Sequence, residues 1–260
     1  MFKILKYSFY DLMRSRWSYI YFFFYLALGF ILLFLNQDVA KAVITLLNIV
    51  IVLTPLIGTL FGVMYYYNSR EFTELLLAQP IKRSNIFVGQ YLGISLSLSI
   101  SLVVGLGIPF LAYGLFQSAE IFNFLLLLLI GAMLSFIFVA LAFNLALFFD
   151  DKIKGFGLAI ITWLFFAVIY DGLFLILMLV FDDYPLDKFA LGATIFNPID
   201  LSRILIILKL DISALLGYTG AVFQDFFGTS FGMFFSLSLL SLWVILPLFL
   251  IVVKSKRKDF

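Results

Sequence analysis

The sequence contains no cysteine and no histidine. Without cysteine there is no disulfide framework, no thiolate metal site and no sulfur nucleophile. Without histidine the commonest general base is missing, as is the commonest ligand of zinc, copper and haem. Ser-His and Cys-His hydrolysis go with it. Charge is also scarce: Asp, Glu, Lys and Arg make up 12% of the 260 residues, where a soluble domain has about 25%. The net charge of +2 is too small to argue for nucleic acid. No Gly-x4-Gly-Lys-Ser/Thr phosphate loop occurs, so an ATP-driven process would need its ATPase on another polypeptide. What the chain has in abundance is apolar surface. Hydrophobic residues are 64%, aromatic residues 19%, and the mean hydropathy is +1.16. That leaves too little polar surface to cover a water-facing globule, and the chain reads as a membrane protein.

A spanning helix needs roughly 20 mostly apolar residues at about 1.5 Å rise each. Six windows qualify: 17–35, 42–67, 86–116, 121–149, 155–181 and 229–253. The fold class expected is therefore all-α, a single polytopic membrane domain over 1–260. Pro55 with Gly58 and Gly62, and Pro109, fall inside two of the windows. Such breakers survive in a membrane helix where neighbours satisfy the freed backbone groups, so both helices are expected to face protein there.

Basic residues set the expected orientation. Lys3, Lys6, Arg14, Arg16, Arg70, Lys82, Arg83, Lys152, Lys154, Lys254, Lys256, Arg257 and Lys258 fall on one side, 13 of the 17 Lys and Arg. The other side has Lys41, Lys188, Arg203 and Lys209 among six aspartates. Lys and Arg accumulate in the cytoplasm, so both termini are expected inside. Residues 1–16 read as an amphipathic elbow helix in the cytoplasmic headgroup layer. Phe2, Leu5, Phe9, Leu12 and Met13 would form one face, with Lys3, Asp11 and Arg14 on the other.

Two segments outside the spans carry pattern. In 68–85, Asn68 and Glu71 have capping-box spacing, and Arg70 and Glu74 stand at i,i+4. Phe72, Leu75, Leu76 and Ala78 suggest an apolar face, Pro80 stops the helix, and Ser84 is placed to cap the next span. The outer segment 182–228 has Asn197, Pro198 and Asp200 as a helix start, then Arg203, Lys209 and Asp211 among Leu and Ile. With three charges in 16 residues, 201–216 is expected to be an interfacial helix. A seventh span there would move the basic C-terminus outside.

One charge lies well inside a span: Asp171, about 15 Å from the outer end of its helix. An ionisable group there costs several kcal/mol unless partnered, wet or protonated. Its candidate partners are Asn48, Thr54, Asn144 and Arg203. Met64, Met133, Met178 and Met233 offer thioethers to a soft ion such as Cu(I), but four scattered methionines read more simply as packing. The pairs Gly58/Gly62, Gly89/Gly93 and Gly228/Gly232 have the spacing of close helix contacts.

An elbow helix, six spans and a helix–Pro–basic loop after the second span together resemble the ABC-2 type transporter permeases. The stretch 68–90 is similar to that family's coupling-helix region, with Glu71, Thr73, Leu75-Leu76, Pro80, Arg83 and Gly89 at the matching positions. Phe72 stands where the family often has Gly. The stretch from Asn197-Pro198-Ile199-Asp200 through Arg203, Lys209 and Asp211 to Gly220 resembles the NosY-type permeases, which serve maturation of nitrous-oxide reductase. The resemblance implies a bacterial inner-membrane homodimer, with a cytoplasmic ABC ATPase partner carrying ATP and Mg. A periplasmic partner would sit on the outer helices, membrane lipids would surround the whole, and the role would lie in copper supply. It implies no catalytic, cofactor or metal residue on this chain. Coupling to the ATPase would fall to Arg70, Glu71, Thr73, Glu74, Leu75, Leu76, Pro80 and Arg83. Outer partner or gate contacts would fall to Asn197, Pro198, Asp200, Arg203 and Asp211. Two other readings stay open: an ABC-2 exporter of a lipid, glycan or drug, and an ATP-independent carrier centred on Asp171.

Overall fold

The computed structural model describes residues 1–36, 38–181, 187–209 and 229–257. Among these the chain is helical with no strands. Its helices are α1 (Phe2–Met13), α2 (Arg16–Asn36), α3 (Val39–Asn68), α4 (Arg70–Leu77), α5 (Arg83–Ala112), α6 (Ile121–Phe148), α7 (Lys152–Leu164), α8 (Tyr170–Val180), α9 (Asp187–Ile195), α10 (Pro198–Lys209) and α11 (Ser230–Arg257). A π turn, Phe165–Ile169, joins α7 to α8 into one span. Among the described residues six helices are long and apolar enough to cross a bilayer: α2, α3, α5, α6, the α7–α8 unit and α11. The six expected windows match them to within a few residues at most ends.

In hydrocarbon, apolar contact between helices gains little over contact with lipid, so close packing and hydrogen bonds hold the bundle together. Both occur here. The central pair is α3 with α6, where a Cβ on Gly62 would lie 2.8 Å from the Ala142 Cβ. Only a hydrogen fits. Hydrogen bonds then stitch the spans: Tyr25 to Thr54 (2.9 Å), Tyr91 to the Phe136 carbonyl (3.2 Å), Trp163 to the Val52 carbonyl (3.1 Å) and Asn144 to the Pro247 carbonyl (2.8 Å). Pro55, Pro109 and Pro247 all lie within continuous helices. The α7–α8 span is different. Only Gly155, Ala159 and Ala167 are buried along it, so it lies at the edge of the bundle.

The first helix packs through a face the sequence pattern did not favour. Ile4, Ser8 and Leu12 are its buried residues, whereas Phe2 is 76% exposed. The cause is steric. A Cβ on Gly93 would lie 2.8 Å from the Ser8 Cβ and 2.9 Å from the Leu5 carbonyl oxygen, so α1 settles where its small Ser8 meets Gly93. The Gly89/Gly93 pair is thus the seat of α1 on α5.

The outer segment also differs from expectation. Of the interfacial helix expected over 201–216, residues 210–216 lie outside the described residues; the described part belongs to α10, which forms with α9 a pair bent by 114°. Ile199, Leu201, Ser202 and Ile204 through Leu208 of α10 are buried, and α10 packs on α3, α6 and α11. Its leucines and isoleucines surround the helix rather than forming a stripe, which suits a site inside protein.

Candidate functional site

Two polar constructions stand out, one at each end of the bundle. The first is built around α4. A single residue, Ser69, separates α3 from α4, so nothing slack joins them. Thr73 is 3% exposed. Its hydroxyl donates to the Ser69 carbonyl (2.8 Å) and accepts from Gln90 Nε2 of α5 (2.8 Å). Phe72 stacks on Tyr7 of α1, with ring centroids 4.6 Å apart. The short helix is therefore gripped by α1 and α5 and joined to α3 through Ser69 alone.

Its other side is free of the bundle. Two residues advance a helix by about 200°, so Leu75 points away from Thr73 and is 69% exposed. Arg70 Nε and Glu74 Oε1 pair at 3.0 Å across an exposed turn, and Glu71 is exposed beside them. Leu76 is half-buried, Pro80 is exposed, and Arg83 opens α5. The expected capping box is absent because Asn68 still belongs to α3; Ser69 holds the cap position without a side-chain hydrogen bond. Ser84 does not cap the next span either, since α5 begins at Arg83. Nor do Phe72, Leu75, Leu76 and Ala78 share one face: Phe72 turns to α1 while Leu75 and Ala78 face outward.

The second construction holds the α9–α10 corner against span five. The Arg203 guanidinium bridges Asp171 Oδ2 (2.7 Å) and Asp200 Oδ1 (3.1 Å). Asn197 Nδ2 donates to Asp200 Oδ2 (2.7 Å) and to the Phe166 carbonyl in the π turn (2.9 Å), while its Oδ1 accepts from the Ile199 backbone N–H (3.0 Å). Asn197 thus opens α10 and satisfies a carbonyl of the π turn, with Pro198 in the first helical position. Tyr170 donates to the Ala193 carbonyl (2.6 Å), and Trp243 of α11 to the Ile195 carbonyl (3.0 Å). Asp200 lies outside the six spans. Burial, reinforced by the neighbouring Asp171, pushes its carboxyl up to about 8 against the pull of Arg203.

Of the four partners considered for Asp171, the structure selects Arg203. Thr54 bonds to Tyr25, Asn144 to the Ala140 and Pro247 carbonyls, and Asn48 is exposed. Asp211 lies outside the described residues. The sequence reading assigned no role to Gln90, Tyr7, Tyr170 or Trp243. Gln90 was the findable one, a lone amide at the start of an apolar span. Among the described residues no three of His, Cys, Asp and Glu gather to hold a metal ion. This arrangement can orient and clamp helices.

Comparison with known proteins follows the same lines. Residues 4–219, well over half of the chain, match the family of ABC-2 family transporter proteins. The chain is 26% identical over 185 residues to a probable ABC transporter permease protein NosY of Pseudomonas aeruginosa, covering 68% of this chain and 67% of that protein. It is 25% identical over 136 residues to a probable ABC transporter permease protein NosY of Stutzerimonas stutzeri. There the match spans 50% of this chain and about half (49%) of the relative.

Proposed function

The chain belongs to the ABC-2 family and is a permease subunit of an ABC transporter, and from that premise we propose that α4 is the element through which a separate cytoplasmic ATPase drives the bundle. The observation that carries this is the two-sided build of α4. Its inner side is pinned by the Thr73–Gln90 hydrogen bond and the Phe72–Tyr7 stack, while its outer side presents Leu75 and the Arg70–Glu74 pair. A lever must be rigid to the load and open to the drive. Pushing α4 moves α3 through one residue and α5 through one buried hydrogen bond. ATP and Mg belong on the ATPase, and this chain works as a pair of identical copies with both termini in the cytoplasm.

The finer role proposed is that of the NosY relatives: maturation of a copper enzyme, nitrous-oxide reductase. A chain without Cys or His offers copper only thioethers and carboxylates. The metal is therefore handled by partner proteins, and this subunit passes ATP-driven motion to a periplasmic partner at the α9–α10 corner. The deciding experiment is co-purification from mild detergent. An ATPase subunit and a periplasmic copper-handling protein recovered with the tagged chain support the reading, and recovery of the chain with neither refutes it. The chain has no Cys, so a single Cys at Lys256 tests orientation. Labelling from outside intact cells would overturn the topology.

A further inference from the structure

Between α1, the end of α3 and α4 lies a cavity of about 280 Å³. Tyr7, Trp17 and Phe72 contribute aromatic walls; Asp11, Ser15 and Tyr65 bring polar groups. Two of these have no satisfied role in the fold. Among the described residues the buried Tyr65 hydroxyl forms no hydrogen bond, although Ser8 and Asp11 are polar neighbours that act on it and a buried hydroxyl ordinarily has a partner. Among the described residues Asp11 makes no ion pair, even with Arg14 one turn ahead. Two cations near the cavity's lining are engaged elsewhere: Arg70 with Glu74 at 3.0 Å, and Lys152 on Asn68 at 3.2 Å.

A carboxylate without a counter-charge, set among aromatic faces, is the chemistry that selects an ammonium group. The ring quadrupoles attract the cation while the carboxylate accepts its hydrogen bonds. The free Tyr65 oxygen adds an acceptor. The volume suits a headgroup-sized ligand better than a drug-sized one. Trp17 and Tyr7 are also about half exposed, as aromatic residues at a bilayer interface are. We propose that this cavity binds a primary-ammonium group, supplied by an aminophospholipid headgroup such as phosphatidylethanolamine. Tyr7 and Phe72 form both a wall of the cavity and the contact between α1 and α4, so an occupant would stiffen that joint. The binding itself does not depend on α4 being a coupling element.

The full-length protein, reconstituted in nanodiscs containing phosphatidylethanolamine and phosphatidylglycerol in equal amounts, is examined by native mass spectrometry for retained lipid. The expected result is preferential retention of phosphatidylethanolamine, reduced about tenfold by Asp11→Asn and less by Tyr65→Phe. Asp11 is exposed, so its variant should fold; unchanged thermal unfolding confirms that. Displacement of the lipid by millimolar ethanolamine or putrescine would uphold the ammonium chemistry while moving the source to a soluble amine. Equal retention of the two lipids, or retention indifferent to Asp11→Asn, overturns the proposal.

Discussion

The inner helix α4 and the outer helix α10 are both short, and both combine leucines with an Arg–acid pair, yet the fold uses them in opposite ways. In α4 a single residue, Thr73, is buried, and its ion pair and Leu75 stand outside. In α10 almost every described apolar residue is buried, and its arginine is drawn in to bridge two carboxylates. The difference teaches what each is for. α10 is anchored by its side chains and cannot shift without breaking a polar network. α4 is anchored by one hydrogen bond and one stack, and it keeps its apolar surface for something else. The first resists motion, and the second receives it.

If that contrast is right, the largest effect should come from Arg203→Met. It leaves Asp171 and Asp200 facing each other unpaired. Breaking a buried pair costs about 3–5 kcal/mol. With the Arg203 side chain 28% exposed, about 2–3 kcal/mol is expected. The measurement is thermal unfolding in detergent, where a stability equal to that of the parent would dissolve the idea of an anchored corner. Next comes Leu75→Ser, which should leave folding intact. Removing a contact worth about 1.5–3 kcal/mol when buried should lower ATPase retention on the tagged chain at least tenfold. Undiminished retention would make α4 a mere loop.

Smaller still is Thr73→Val, which strands the Gln90 amide at a cost of about 1–2 kcal/mol. Here the expectation is a split: ATPase stays bound while its stimulation by the permease falls, because the drive arrives but the linkage yields. Equal loss of both would put Thr73 in the docking surface instead. The smallest effect belongs to Asp171→Asn. Size and most hydrogen bonding survive, and Arg203 keeps Asp200. Assembly and most activity should persist. Abolished activity in an assembled protein would revive a carrier that needs an ionised group at this position.

The contrast also marks what the sequence could and could not reveal. The spans were legible because about 20 apolar residues in a row have no other stable home. The Arg70–Glu74 pair was legible because i,i+4 spacing is local. What failed depended on neighbours distant in sequence. Ser8 turned inward because Gly93 lies opposite it, 85 positions away. The capping box failed because the preceding span ran one residue past the end of its apolar window and took in Asn68. Arg203 was one of four candidate partners for Asp171, but α10 was expected at the interface, since charges in a helix signal water until the opposing charge is known. Asn197 had a turn signature, yet nothing local says that it also satisfies a carbonyl in a π turn 31 residues earlier.

That π turn has a meaning for how such a chain can change over generations. A π turn houses one residue more than the α-helix needs, and one residue is about 100° of helix rotation. Losing a single codon between Phe165 and Ile169 would therefore barely shorten the span, but it would swing its outer end about a quarter turn and carry Asp171 away from Arg203. Substitutions at Phe165, Val168 and Ile169 are inexpensive, because these three look outward. Insertions and deletions are not. Within this stretch the reading length of the chain, more than the identity of its letters, is what selection has to preserve.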